Sequence, residues 1–182
     1  MPAIVICLIY FSVYMLSAPN TASAEYTNKE TSKIQSLFQL TKFIHWSDTL
    51  PRDTPIKLCL LPNTPQQDSW QKINLKRSQG REIRIHYLSE ENDLPTCTIL
   101  FAHKGMPNSF IQKNYYTLVS NRILSIGERE NFAKDGGVVE LTITNENTLD
   151  LKINLKTATE AGLSIDANLI EMASAVFEQG HP

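Results

Sequence analysis

The stretch Ile56–Asn63, IKLCLLPN, surrounds one lysine with apolar side chains and stops at a proline, the pattern of a short strand buried on both faces. A second run of this kind, CTILFA at Cys97–Ala102, is apolar but for Thr98, as a parallel strand covered on both sides must be. Between them, residues 65–75 suit a short helix entered at Pro65, and residues 82–88 alternate Ile83, Ile85 and Tyr87 with Arg84 and His86. Strand, helix, strand and strand again mark the start of an α/β domain.

Working outward, residues 31–46 place Ile34, Leu37, Phe38, Thr41 and Ile44 or His45 three and four apart, which predicts an amphipathic helix. Downstream, residues 109–118 predict a second helix, RILSIG a strand and RENFAKDGG a short helical turn, which Gly136 and Gly137 end by permitting positive φ. VVELTIT and LDLKINL, joined by NENT, predict an antiparallel hairpin. A last helix is expected near residues 166–177, where Leu169, Ile170, Ala173, Val176 and Phe177 form an apolar stripe. The fold class is α/β: one domain with a mixed, mostly parallel sheet, a C-terminal antiparallel hairpin and helices on both faces. There is no internal repeat, low-complexity tract or interdomain linker.

Residues 1–24 carry no charged side chain, run apolar from Ala3 to Leu16 and end in the small-residue pattern Ala22-Ser23-Ala24. Such a stretch is too short to span a bilayer comfortably and has the cleavage site of a secretory signal peptide, so residues 25–182 are expected to form the mature domain. The usual basic n-region is missing, which leaves an uncleaved anchor as the alternative. The net charge is −2, from 17 basic and 19 acidic residues. Near neutrality without a Lys/Arg cluster offers a nucleic acid little counterion-release energy.

Of three cysteines, Cys7 falls in the leader, and an even pair remains in an exported chain. Cys59 and Cys97 meet if their strands are neighbours in a right-handed doubly wound sheet with the Ile83 strand outside the first. A link across 38 positions stabilises by roughly 4 kcal/mol in the chain-entropy model. A structural disulfide is the default reading; a redox-responsive bridge and free thiols stay open. There is no C-x-x-C and no histidine at ligand spacing, so redox-enzyme and metal readings are weak and no cofactor is expected.

Catalytic constellations are scarce. Asp135 and Glu140 bracket the glycine pair, and His45, Ser47 and Asp48 have triad composition at adjacent positions, which says nothing of geometry. No nucleophile elbow, phosphate loop or dinucleotide fingerprint occurs. His86 and His103 are lone histidines. His45 and Trp46, at the expected helix end, are candidates for contact with a partner protein. GMPNSF, after His103, occupies the carboxyl edge of the sheet, where with residues 126–132 it would frame a small-molecule site.

LTKFIHW, IKLCLLPN, CTILFAH, ILSIGERENFAKDGGVVEL and above all INLKTATEAGLSIDANLIEMA together resemble the YfiR-like family over about residues 31–177. The resemblance implies a periplasmic, non-catalytic α/β protein of Gram-negative bacteria, often dimeric, that binds the periplasmic part of an inner-membrane diguanylate cyclase or similar sensor. It implies repression of that enzyme, relieved by envelope or redox stress, in some systems through an outer-membrane, peptidoglycan-binding lipoprotein. Cyclic di-GMP and biofilm formation then rise. The resemblance also places a family disulfide at Cys59 and Cys97. Some members have a second cysteine pair in the C-terminal half, which this chain lacks, so redox regulation through that pair does not carry over. The alternative function is a periplasmic module that presents a small ligand to a membrane receptor.

Overall fold

A computed structural model describes residues 21–46, 53–107, 109–144 and 148–178, with side chains from Thr31 onward apart from Glu91. Helix α1 (Thr21–Leu40) leads through a 3-10 turn at Thr41–Phe43 into strand β1 (Ile44–Trp46). Strand β2 (Ile56–Leu60), helix α2 (Gln67–Gln71), strands β3 (Arg77–Ser78) and β4 (Arg81–Tyr87), and a 3-10 helix at Glu91–Thr96 follow. Next come β5 (Ile99–Ala102), α3 (Ser109–Ser120), β6 (Leu124–Gly127), β7 (Val139–Ile143) and β8 (Leu149–Asn154). The chain continues through α4 (Leu155–Glu160), β9 (Leu163–Ile165), α5 (Ala167–Glu171) and β10 (Ala175–Phe177).

The main sheet has the order β10-β8-β7-β6-β5-β2-β4-β3. Strands β4, β2, β5, β6 and β7 run parallel, β8 is antiparallel to β7, and β3 turns back antiparallel on β4. The doubly wound arrangement expected from the sequence is therefore present, with β2 between β4 and β5. Side chains alternate between two cores. Leu58, Leu60, Ile99 and Phe101 face Ile34, Leu37 and Phe38 of α1, and Trp70 of α2 packs at a tilt on Phe101 with centroids 4.5 Å apart. Cys59, Leu100 and Ala102 face Phe110, Ile111 and Leu118 of α3 on the other side. Apolar side chains on both faces of β2 and β5 explain why those strands lack polar alternation.

Two expected helices are shorter than their spacing predicts. The first ends at Leu40; Ile44 is extended at φ −117°, and β1 pairs antiparallel with β9 as a separate two-stranded ribbon. Ile34, Leu37, Phe38, Thr41 and Ile44 are all buried, because the chain stays on the core face as it passes from helix to strand. The helical spacing persists where the helix does not. The last helix stops at Glu171, and Ser174 N–H donates to Leu151 O at 2.8 Å to start β10 alongside β8. Pairing of the Ala-Val-Phe segment with an open strand overrides the weak propensity of so short a helix. RENFAKDGG forms hydrogen-bonded turns, with Asp135 N–H donating to Asn131 O at 2.8 Å, in keeping with the short helical turn expected there.

Helix α4, which the sequence reading did not separate from its strand, starts where Asn154 Oδ1 accepts from Thr157 N–H at 2.9 Å. It stops at Gly162, whose φ of +66° turns the chain into β9. Residues 1–20, with most of the expected leader and Cys7, lie outside the described residues, as do Ser47, Asp48, Pro51 and residues 145–147. Cleavage after Ala24, where expected, would fall in the first turns of α1.

Candidate functional site

Cys59, in the middle of β2, is bonded to Cys97, the residue that ends the 3-10 helix before β5, with their Cα atoms 5.8 Å apart. Cys59 is fully buried and Cys97 is 5% exposed. Thiol–disulfide exchange needs access for the attacking thiolate. This bridge is therefore sealed beneath the α3 face and acts as a clamp between neighbouring strands.

Strand β1 separates the two residues expected to meet a partner. His45 is exposed opposite Ser164, whereas Trp46 is half-buried and packs on the core. The Trp46 Nε1 atom has no hydrogen-bond partner among the described residues, against the usual habit of a core-capping indole. Of His45, Ser47 and Asp48, only His45 lies within the described residues.

At the carboxyl edge of the sheet three carboxylates have cationic partners. Glu128, just after β6, forms an ion pair with Lys33 of α1, and its second oxygen accepts from Lys104 N–H at 3.1 Å. Arg129 reaches Asp135 at 2.7 Å. Glu140, on β7 and 1% exposed, accepts from Lys152 Nζ at 2.8 Å and from Ala133 N–H at 3.3 Å. That hydrogen bond, against the opposing effect of burial, raises the pKa of Lys152. Asp135 and Glu140 thus have separate cationic partners, and the acid/base pair considered from the sequence gives way to two structural ion pairs.

His103 follows β5; its Nδ1 accepts from Gly105 N–H at 3.2 Å and its Nε2 is buried without a partner among the described residues. It lines a cavity with Met106, Phe110, Arg129 and Phe132. The cavity lies where the sequence placed a ligand site, but its volume of about 10 Å³ admits a single water rather than a metabolite. Phe132 fills the remaining space, lodged against Gly127 and Gly137. His86 projects from the exposed side of β4. No group of three His, Cys, Asp or Glu side chains converges among the described residues, and no helix among them is long and apolar enough to cross a membrane.

Basic residues are more gathered than the overall charge implies. Lys72, Lys76, Arg77, Arg81 and Arg84 fall between positions 72 and 84, where Glu82 is the only acid. The β3–β4 hairpin displays most of them at one end of the sheet. The sequence signal was the local count, which the near-neutral total conceals.

Residues 30–174 match the family described as YfiR/HmsC-like. The chain belongs to that family. A crystal structure of a conserved domain protein from Vibrio cholerae O1 biovar El Tor aligns with a TM-score of 0.52 at 12% identity, over 79% of this chain and 60% of that one. The ABC domain from Streptococcus pneumonia in complex with L-Trp aligns with a TM-score of 0.45 at 12% identity, over 81% of this chain and 60% of that one. This chain therefore spans less than two thirds of those structures, and the first of them supports the α/β fold alone. No curated protein matches. Members of the YfiR-like family are periplasmic and regulatory rather than catalytic, and their work involves a diguanylate cyclase.

Proposed function

We propose that this protein is an exported regulator that binds the periplasmic region of an inner-membrane diguanylate cyclase and holds that enzyme inactive. The observation that carries the reading is the YfiR/HmsC-like match over residues 30–174. Three features of the chain support it. The leader ends in a signal-peptidase pattern, for which we propose cleavage after Ala24. The Cys59–Cys97 bridge suits an oxidising compartment. The carboxylates Glu128, Asp135 and Glu140 at the carboxyl edge are held in ion pairs, which is compatible with action by docking.

Repression requires that the protein bind the inactive arrangement of the cyclase more tightly than the active one; the difference in affinity sets the shift. We assign the contact in part to the β1–β9 ribbon, where His45 is exposed, and count Trp46 as support for that ribbon. Because the bridge is buried and stands without a second cysteine pair, envelope stress is the favoured relieving signal, with capture by an outer-membrane lipoprotein as its route. The small-ligand alternative gains no support from the cavity beside His103, which among the described residues has room for one water.

Deletion of the gene is expected to raise cellular cyclic di-GMP and biofilm. Affinity capture from solubilised membranes is expected to recover a diguanylate cyclase with a periplasmic domain. Unchanged cyclic di-GMP together with no recovered membrane sensor overturns the reading. N-terminal sequencing of periplasmic protein checks the cut, with Glu25 expected first.

A further inference from the structure

The β3–β4 hairpin is both strongly charged and conformationally costly. Leu75, at its entry, has φ +65° and is 61% exposed, and Gln79, in the turn, has φ +50°. A leucine in the left-handed region is disfavoured where glycine or asparagine would fit readily, and its exposure wastes apolar surface.

The surrounding structure fixes this arrangement. Leu75 N–H donates to Ile83 O and Ile83 N–H donates to Lys76 O, both at 2.8 Å. Gln79 Nε2 donates to Thr41 O at 2.9 Å and to Ile44 O at 2.6 Å, while Thr41 Oγ1 donates to Ser78 Oγ at 2.8 Å. The hairpin is thereby clamped to the turn after α1. That turn supplies Lys42, whose Nζ lies 5.0 Å from the centroid of the Phe38 ring, and Lys76 Nζ lies 5.3 Å from the same centroid. Two like charges converge on one ring, and neither meets a carboxylate among the described residues. Exposed Lys72 and Arg77 flank them. Because the whole chain carries −2, everything outside this cluster is net acidic.

We propose that the β3–β4 hairpin docks this protein on an anionic phospholipid surface, with Leu75 entering the acyl boundary and Lys42, Lys76 and Arg77 meeting headgroup phosphates. An acidic protein would be matched by the charges alone. The exposed leucine amid lysines favours a bilayer, whose boundary accepts apolar and cationic groups side by side. The acidic remainder of the molecule is repelled by such a surface, so binding also sets its orientation. The inference does not depend on which protein the chain regulates.

Co-sedimentation with vesicles of phosphatidylethanolamine and phosphatidylglycerol tests it, with pure phosphatidylcholine vesicles as the neutral control. All variants are compared in the same form as the parent, so any contribution of the N-terminal stretch cancels. Affinity is expected to fall about tenfold or more on phosphatidylcholine, and similarly for the double reversal Lys42→Glu/Lys76→Glu, since juxtamembrane cations are held by surface charge. Leu75→Asn places in the left-handed region a residue that tolerates it, so the variant is expected to melt no lower than the parent. Its vesicle affinity is nevertheless expected to drop about fivefold or more, as the apolar anchor is lost. Equal binding to both vesicle types overturns the proposal. So does a Leu75→Asn variant that binds vesicles like the parent, since the apolar anchor is then absent, or soluble poly-glutamate that binds as tightly as the vesicles, which marks an acidic protein as the occupant.

Discussion

A Cβ built on Gly127 or Gly137 would lie 2.3 or 2.1 Å from the Phe132 ring. Gly137→Ala is therefore expected to destabilise the fold by about 1–3 kcal/mol, as overpacking of a rigid core does, measured by chemical denaturation. Adding Phe132→Leu is expected to recover part of the loss; no recovery would show that the ring is not the obstacle. The glycine pair was legible as a turn, and Gly136 does take φ +110°. The reason for Gly137 was hidden, because close approach by a side chain five positions earlier leaves no local trace. Lys152→Met strands Glu140, which is 1% exposed, and is expected to cost about 3 kcal/mol, as loss of one partner from a buried pair does. The pKa of Lys152 is raised, chiefly by the hydrogen bond it donates to Glu140. Its contribution is whole below the ordinary value of 10.5 and fades as pH climbs through the higher folded value. Tyr115, raised by burial first and then by its hydrogen bond with Glu160, acts with the same sign from 10.0 upward. Comparing Lys152→Met with the parent isolates the lysine: the gap between their stabilities should narrow above pH 10.5, and a constant gap would refute the assignment.

At the level of elements, β2 and β5 were readable because strands covered on both faces have nothing polar to show. Their adjacency, and with it the meeting of Cys59 and Cys97, followed from the doubly wound order. The first and last helices were overextended for a shared reason: an apolar stripe reports which face is buried, not the conformation that buries it. Thr41–Ile44 keep the core spacing while turning into β1, and Ala175–Phe177 trade helical spacing for pairing with β8. The three-residue ribbon partner β9 left no readable signal. Replacing both cysteines, Cys59→Ala with Cys97→Ala, is expected to cost about 2–5 kcal/mol, the range seen when a native bridge is removed from a small exported domain. Denaturant unfolding of oxidised and substituted protein measures it. A difference under about 1 kcal/mol would mean that strand pairing alone holds β2 to β5.

Across the whole molecule, stability is graded from the middle of the sheet outward. Central strands β2, β5 and β6 are covered on both faces, whereas β10 is a three-residue edge with Val176 36% exposed. Amide hydrogen exchange should thus be slowest in β2, β5 and β6 and faster in β10, because sub-global opening starts where buried contacts are fewest. The reverse order would refute this picture. The candidate docking surfaces were partly legible: His45 was singled out, but the hairpin cluster escaped because a balanced total masks a local excess. Finally, the positions of the sulfurs bear on how the protein matures. With cleavage after Ala24, as proposed above, Cys59 and Cys97 are the two cysteines that remain, so oxidation has a single intramolecular product. A thiol oxidase suffices, an isomerase has nothing to correct, and the yield of correctly joined chains is limited by how fast the two ends of that loop find each other.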